Sequence, residues 1–367
     1  MSMMDHCKDF LSWLDHDTSL NIFKGMDDPA DLARVSCVSR SWRHFVIANG
    51  LSKQLCLRMF PPLSRVACVV ELNQHGVKEH PEVGSSNSME WLALQKDNRV
   101  YGYLARCCMS PVAMDCIAKA IGASSTDNIP QESIDHTLEE RDNIAGRFSY
   151  WSSNGQINPN VPETLTYQLG SQICVIKEIN IQPFQAHFQM GAPIYSAQSV
   201  RFKMGHQKAS LDSLADEMFV WTYTSPEFPM AQENRLQTFQ LPEPVLCIGG
   251  ILQVELLGRV QRQEMDGLLY ICISYVQALG IQLSPAFSVE ILDPSGMFVL
   301  KRDQRVKCEP HATSDDESGI LNENVRRELR DFRRVVNILR GHVMGIGAED
   351  GWDEEDYEDD DFDEDVA

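Results

Sequence analysis

The sequence predicts a multidomain α+β chain: a small all-α module, then an antiparallel β-sandwich, a C-terminal amphipathic helix and a disordered acidic tail. Three observations carry this. Helix caps and apolar stripes fill residues 1–60, short alternating runs rich in Val, Ile, Tyr and Phe fill 145–303, and acids crowd the end. The 367 residues allow two or three domains. The expected boundaries are 1–60, a helical or irregular connection over 61–144, the sandwich over 145–303, a linker and helix over 304–348, and the tail over 349–367.

The N-terminal helices come first. Residues Leu14 to Gly25 open on good capping types and put Leu20 and Phe23 on one side, with Lys24 and Gly25 suited to a left-handed stop. Asp28 and Pro29 read as N-cap and first helical position, with Asp31 in the first turn. The next helix is expected to carry Leu32, Val35, Val38, Trp42 and Phe45 as one continuous stripe. Another starts near Ser52, carries Leu51, Leu55 and Met59, and stops at Pro61-Pro62. Three such helices make a poor independent core.

In the connection, residues 84–88 read as an exposed loop, and 111–121 and 131–142 as helices. Cys107-Cys108 reads as a pair of buried thiols in a helical stretch. The expected strands are Leu165–Leu169, Ile173–Ile181, Val200–Lys203, Met218–Thr224, Leu236–Leu241, Ile251–Val260, Leu268–Val276, Phe287–Leu292 and Met297–Lys301. Their close spacing, with no helical pattern between them, favours a sandwich over βαβ units. Ile173, Val175, Ile179 and Ile181 are expected on one face, interrupted by Lys177. Trp151, Trp221 and Tyr223 are expected in the core, with Phe219, Trp221 and Tyr223 sharing a face.

Near the C-terminus, Leu321, Val325, Leu329, Phe332, Val336, Leu339 and Val343 form a seam over about 320–343. It suits a helix that caps the sandwich, or a coiled-coil dimer. Thirteen of the 53 acids lie between Glu349 and Asp365, a run without Lys or Arg, too polar to pack a core. Without residues 349–367 the net charge of −21 falls to −8. That balance excludes bulk duplex binding, so no nucleic-acid partner is expected. No membrane partner is expected either: the most apolar stretch, Val245 to Gly258, is interrupted by Gln253 and Glu255. Eleven cysteines without a C-x-x-C pair, and no Asn-x-Ser/Thr acceptor, point to an intracellular, reducing compartment, cytoplasm or nucleus.

Leu14, Leu20, Ile22, Phe23, Pro29, Asp31, Leu32, Val35, Val38, Ser39, Trp42 and Phe45 together resemble an F-box, the adaptor-binding motif of cullin-type ubiquitin ligases. The departure is Asp15, where the motif has proline. The resemblance implies that Leu14, Leu20, Ile22, Phe23, Pro29, Leu32, Val35, Val38, Trp42 and Phe45 divide between the module's own core and a Skp-type adaptor, and through it a cullin. The segments Ser149–Ser153, Pro162–Leu169 and Ile179–Phe184 resemble galactose-binding-type jelly rolls, the group of discoidin and Doc-type domains. Such a domain would select a protein target, glycosylated or not, through loops at one end. No phosphate loop, H-E-x-x-H or G-x-S-x-G motif is present, so neither catalytic residues nor a metal nor a cofactor is expected. The resulting expectation is a non-catalytic, substrate-recruiting subunit of a Skp–cullin–F-box ligase. The competing reading is an intracellular carbohydrate- or ligand-binding module with a purely structural helical N-terminus.

Overall fold

Asp15, Asp28 and Ser39 each start a helix by accepting a backbone N–H in the first turn, from Thr18, Ala30 and Trp42 respectively. The computed structural model describes residues 11, 13–72, 86–140, 143–144, 147–208, 218–292 and 296–306. The expected C-terminal helix and the acidic tail lie outside them. Helix α1 spans His16–Lys24, α2 Pro29–Val38, α3 Arg40–Ala48 and α4 Leu51–Met59. The stripe expected as one helix is therefore two. Ser39 is extended (φ −156°, ψ 170°), and its hydroxyl caps α3 at 3.2 Å from the Trp42 nitrogen. A serine that bonds local backbone offers the chain this alternative to continuing the helix. Gly25 also departs from expectation: its φ of −73° is right-handed, and Arg58 of α4 covers the carbonyls of Lys24 and Met26 instead.

Strand β1, Val66–Leu72, follows, then a 23-residue helix α5, Ser86–Cys108. The stretch read as a loop at 86–88 is thus the start of α5, which the sequence reading missed. Residues 111–121 are not helical: Met114–Asp115 and β2, Ile117–Ala123, are extended. In the described part of 131–142, which ends at residue 140, the helical element is a single 3-10 turn, Ile134–Leu138.

Besides four two-residue strands, Asn143–Ile144, Arg147–Phe148, Trp151–Ser152 and Phe228–Pro229, the later strands are β3 Glu163–Leu169, β4 Ile173–Pro183, β5 Ala197–Gln207, β6 Phe219–Thr224, β7 Gln237–Ile248, β8 Ile251–Arg259, β9 Cys272–Gln282, β10 Phe287–Leu292 and β11 Met297–Asp303. One sheet runs β6-β5-β8-β3-β2, and a second runs β7-β4-β9 and then Met114–Asp115, all antiparallel. Between them lies the sandwich core expected from the alternation: Leu165, Tyr167, Ile176, Ile179, Ile181, Phe202, Leu252 and Val254. Strands β10 and β11 leave the sandwich and pair with β1 in a third sheet, β1-β11-β10, β1 and β11 being parallel.

The expected face of β4 is split, because pairing with β9 skips Lys177: Leu279 opposes Glu178 and Gly280 opposes Ile176. One extra residue inverts the side-chain alternation. Cys174 and Ile176 before it, and Ile179 and Ile181 after it, enter the sandwich core, while Ile173 and Val175 turn to a second core. That second core joins Val100, Tyr101 and Leu104 of α5 to Phe287, Phe298 and Leu300 of the third sheet. A similar skip between Trp221 and Tyr223 sends Tyr223 to the sandwich core, while Phe219 and Trp221 pack on each other at 5.4 Å, half-buried.

The bulge needs glycine opposite it. A Cβ on Gly280 would lie 2.2 Å from the Val175 carbonyl oxygen, whereas one on Gly122 of β2 meets nothing within 4 Å. Gly280→Ala is expected to destabilise the chain by about 1–3 kcal/mol in urea denaturation, with Gly122→Ala changing it by less than ~0.5 kcal/mol.

Candidate functional site

Two regions are built to present side chains, and the N-terminal helices are the first. Phe23, Leu32 and Val35 are buried with Val46, Leu51 and Leu55, and Leu20, Trp42 and Phe45 pack against them. The Phe23 ring meets Trp42 edge-on at 5.5 Å and Phe45 at 5.3 Å. Pro29 is buried as well. Of the ten residues expected to divide between core and adaptor, these seven go wholly or partly inward. Ile22 and Val38 point out, 45% and 62% exposed, and Leu14 is intermediate. Trp13, which sequence reasoning passed over, is 68% exposed.

Asp15 explains its own departure from the motif. Its φ of −65° is the value a proline ring imposes, so the backbone path is that of a proline. Its carboxylate accepts from the Thr18 backbone nitrogen at 2.7 Å and the Thr18 hydroxyl at 2.8 Å. The Thr18 backbone N–H, and then its hydroxyl, hold this carboxyl below its ordinary value of 3.8.

Helix α4 ties the module to α5. Ser52 donates to Asn98 at 2.8 Å, Lys53 reaches Asp97 at 3.3 Å, and the Cys56 thiol donates to the Tyr101 carbonyl at 3.1 Å. The His44 ring stacks on Trp91 at 4.5 Å. Cys107 and Cys108 are buried on α5. Burial pushes the thiols of Cys56, Cys247 and Cys272 up to about 12, which leaves them protonated and unreactive.

The second region is one end of the sandwich, where β2, β4, β6 and β8 finish and β3, β5, β7 and β9 begin. The loops there hang on a residue that sequence reasoning missed. Arg259 is fully buried and pairs with buried Glu163. It also donates to the Ser153 hydroxyl at 2.8 Å and to the carbonyls of Asn154, Leu269 and Val161 at 2.9, 3.0 and 3.2 Å. The second Glu163 oxygen accepts from Ser124. A buried charge is tolerable only when so fully met.

The Trp151-Ser152-Ser153-Asn154-Gly155 motif belongs to this brace. Trp151 is buried in the core and donates to the Ser125 carbonyl at 3.0 Å. A Cβ on Gly155 would come within 2.6 Å of the Tyr270 hydroxyl. The signal that could have found Arg259 is an arginine closing a strong apolar strand, Ile251 to Leu257.

The F-box-like family model matches residues 16–58. An F-box protein of Arabidopsis thaliana is 48% identical over 354 residues, which span 92% of this chain and 94% of that protein. Among solved structures, the chain is similar to the family 32 carbohydrate-binding module of Clostridium perfringens NanJ, solved with galactose (13% identity, TM-score 0.31, 46% of this chain and 99% of that one). It is also similar to a putative chitobiase fragment of Bacteroides thetaiotaomicron (11% identity, TM-score 0.33, 47% of this chain and 95% of that one). No helix among the described residues is long and apolar enough to cross a membrane.

Arg259→Ala is expected to cost about 3–5 kcal/mol in chemical denaturation, because it leaves Glu163 buried and unpaired; Arg235→Ala on the exposed Glu233 pair should cost under ~1 kcal/mol. For Asp15 the sign follows from a lowered folded value. Its capping contribution is present above pH 3.8 and is lost as pH falls through the lower folded value. An NMR titration should place the Asp15 midpoint below 3.8, with the Thr18 amide shift following it.

Proposed function

Because this chain belongs to the F-box protein family, we propose that it is the substrate-recognition subunit of a Skp–cullin–F-box ubiquitin ligase. In this reading the N-terminal helices bind the Skp-type adaptor, and through it the cullin, while the sandwich captures a protein target. The observation that carries the proposal is the outward set Trp13, Ile22 and Val38, standing on a helical module whose own core is already filled by Phe23, Leu32 and Val35. A few large apolar side chains supply most of the energy of an interface of this kind. The half-buried Leu14, Leu20, Trp42 and Phe45 form the rim where the module's core meets the adaptor.

The chain itself does no chemistry in this proposal. Ubiquitin transfer requires a target held near a charged conjugating enzyme, and a bound target gains effective concentration without any catalytic side chain on the holder.

The test is co-purification of the full chain with a Skp-type adaptor. Ile22→Glu together with Val38→Glu should reduce adaptor capture by at least ~100-fold, since a charge buried in an apolar interface costs several kcal/mol, and should leave the melting temperature unchanged. Trp42→Ala should lose capture and lower the melting temperature together, since Trp42 packs on Phe23. Full capture by the folded double variant would refute this surface. Failure of the unaltered chain to bind would refute the adaptor role itself.

A further inference from the structure

Four connections meet at the loop end of the sandwich: residues 124–162, 184–196, 225–236 and 260–271. Their described residues contain nine acids and three bases. A net of −6 therefore sits on loops within a chain that carries only −8 outside its tail. The same loops hold strongly exposed apolar side chains: Ile129, Ile157, Phe188, Met190 and Met265. Both signs of a docking surface coincide here, apolar tips and unbalanced charge.

The centre of this end is aromatic. Tyr150 stacks on Phe184 with ring centroids 3.8 Å apart and planes 10° from parallel. Phe148 lies 5.9 Å from Phe184 and 5.2 Å from Phe188, so the rings run from the buried stack to the exposed Phe188. Carboxylates flank them. Glu132 accepts from the Tyr150 hydroxyl at 2.7 Å through one oxygen, while its other oxygen is buried with no hydrogen-bond partner among the described residues. Asp266 accepts from Tyr270 at 2.5 Å, and its charge, after burial, raises the Asp127 carboxyl. Among the described residues no Lys or Arg pairs with Asp127, Glu132 or Asp266.

Carboxylates without cations beside open aromatic faces favour a guanidinium or ammonium group, which both attract. We propose that this end of the sandwich binds an arginine- or lysine-rich segment of the target protein, with Phe148 and Phe188 against the cation and its stem, and Asp127, Glu132 and Asp266 matching its charge. The inference rests on the reading of the sandwich as the target-selecting part.

The probe is a fluorescent 12-residue peptide of alternating arginine and glycine, with a glutamate–glycine peptide as its counterpart. Anisotropy is read on the full chain in complex with a Skp-type adaptor. The arginine peptide should bind and the glutamate peptide should not. Phe188→Ala should weaken the binding about 5-fold or more, and Asp127→Asn with Asp266→Asn should weaken it further and flatten its salt dependence. Each variant should keep the adaptor and its melting temperature. Binding that ignores Phe188 and the two aspartates but disappears when residues 349–367 are removed would belong to the acidic tail and overturn the proposal. So would no binding at 50 mM salt, or capture of a neutral glycan on an array in place of the peptide. Adaptor binding by the same sample separates these failures from a failure of the ligase reading.

Discussion

The fold depends on a shared burial problem. Four short helices cannot cover their own apolar faces, and the sandwich's second sheet carries Ile173, Val175, Leu246, Ile248 and Ile281 on its outer side. Helix α5 answers both. Val100, Tyr101 and Leu104 are fully buried on it. One side of α5 receives α4 through Ser52, Lys53 and Cys56, and the other closes over the sheet with β1, β10 and β11. Burying large side chains contributes about 1.5–3 kcal/mol each, so neither neighbour can part from α5 cheaply. The N-terminal helices and the sandwich are consequently parts of one packed body over the described residues.

The two ends of the sandwich are built differently for this reason. At the end where Ile173, Ile248 and Gln282 lie, the connections 170–172, 249–250 and 283–286 are short, and Leu283 and Ala286 pack into the core shared with α5 and the third sheet. At the opposite end the connections are long, polar at their bases and apolar at their tips, and Arg259 holds them from beneath. Anchoring sits at one pole and the exposed loop tips at the other.

Much of this could be read from residue order. The strands of the sandwich were legible because half-buried strands alternate, and the caps at Asp28 and Pro29 were legible because those residue types suit no other role so well. Helix α5 was not. Its C-terminal half, Val100 to Cys108, is buried on nearly every side, so its apolar residues run together and leave no stripe. The reverse error occurred at 111–121, where alanine suggested helix, but pairing of Ala120 with Tyr167 draws the chain into a sheet. Lys177 looked like a polar interruption within one face; it is the pivot between two cores. For the N-terminal helices, the F-box likeness was legible but the orientation of each side chain was not, because outward and core-facing positions are apolar alike. Arg259 stayed hidden because its one local signal, a place at the end of the apolar strand Ile251 to Leu257, is shared with arginines that simply reach solvent, and its partners Glu163 and Ser153 lie about a hundred residues away in sequence.

The Arg259 brace has a consequence for how such proteins diversify. Its hydrogen bonds go mostly to main-chain carbonyls, of Asn154, Leu269 and Val161, which every residue type supplies. The bases of the 124–162 and 260–271 connections are thus fixed by groups that mutation cannot remove, while their exposed tips at Ile129, Ile157 and Met265 are not part of the brace. Those tips can be exchanged without touching what holds the fold.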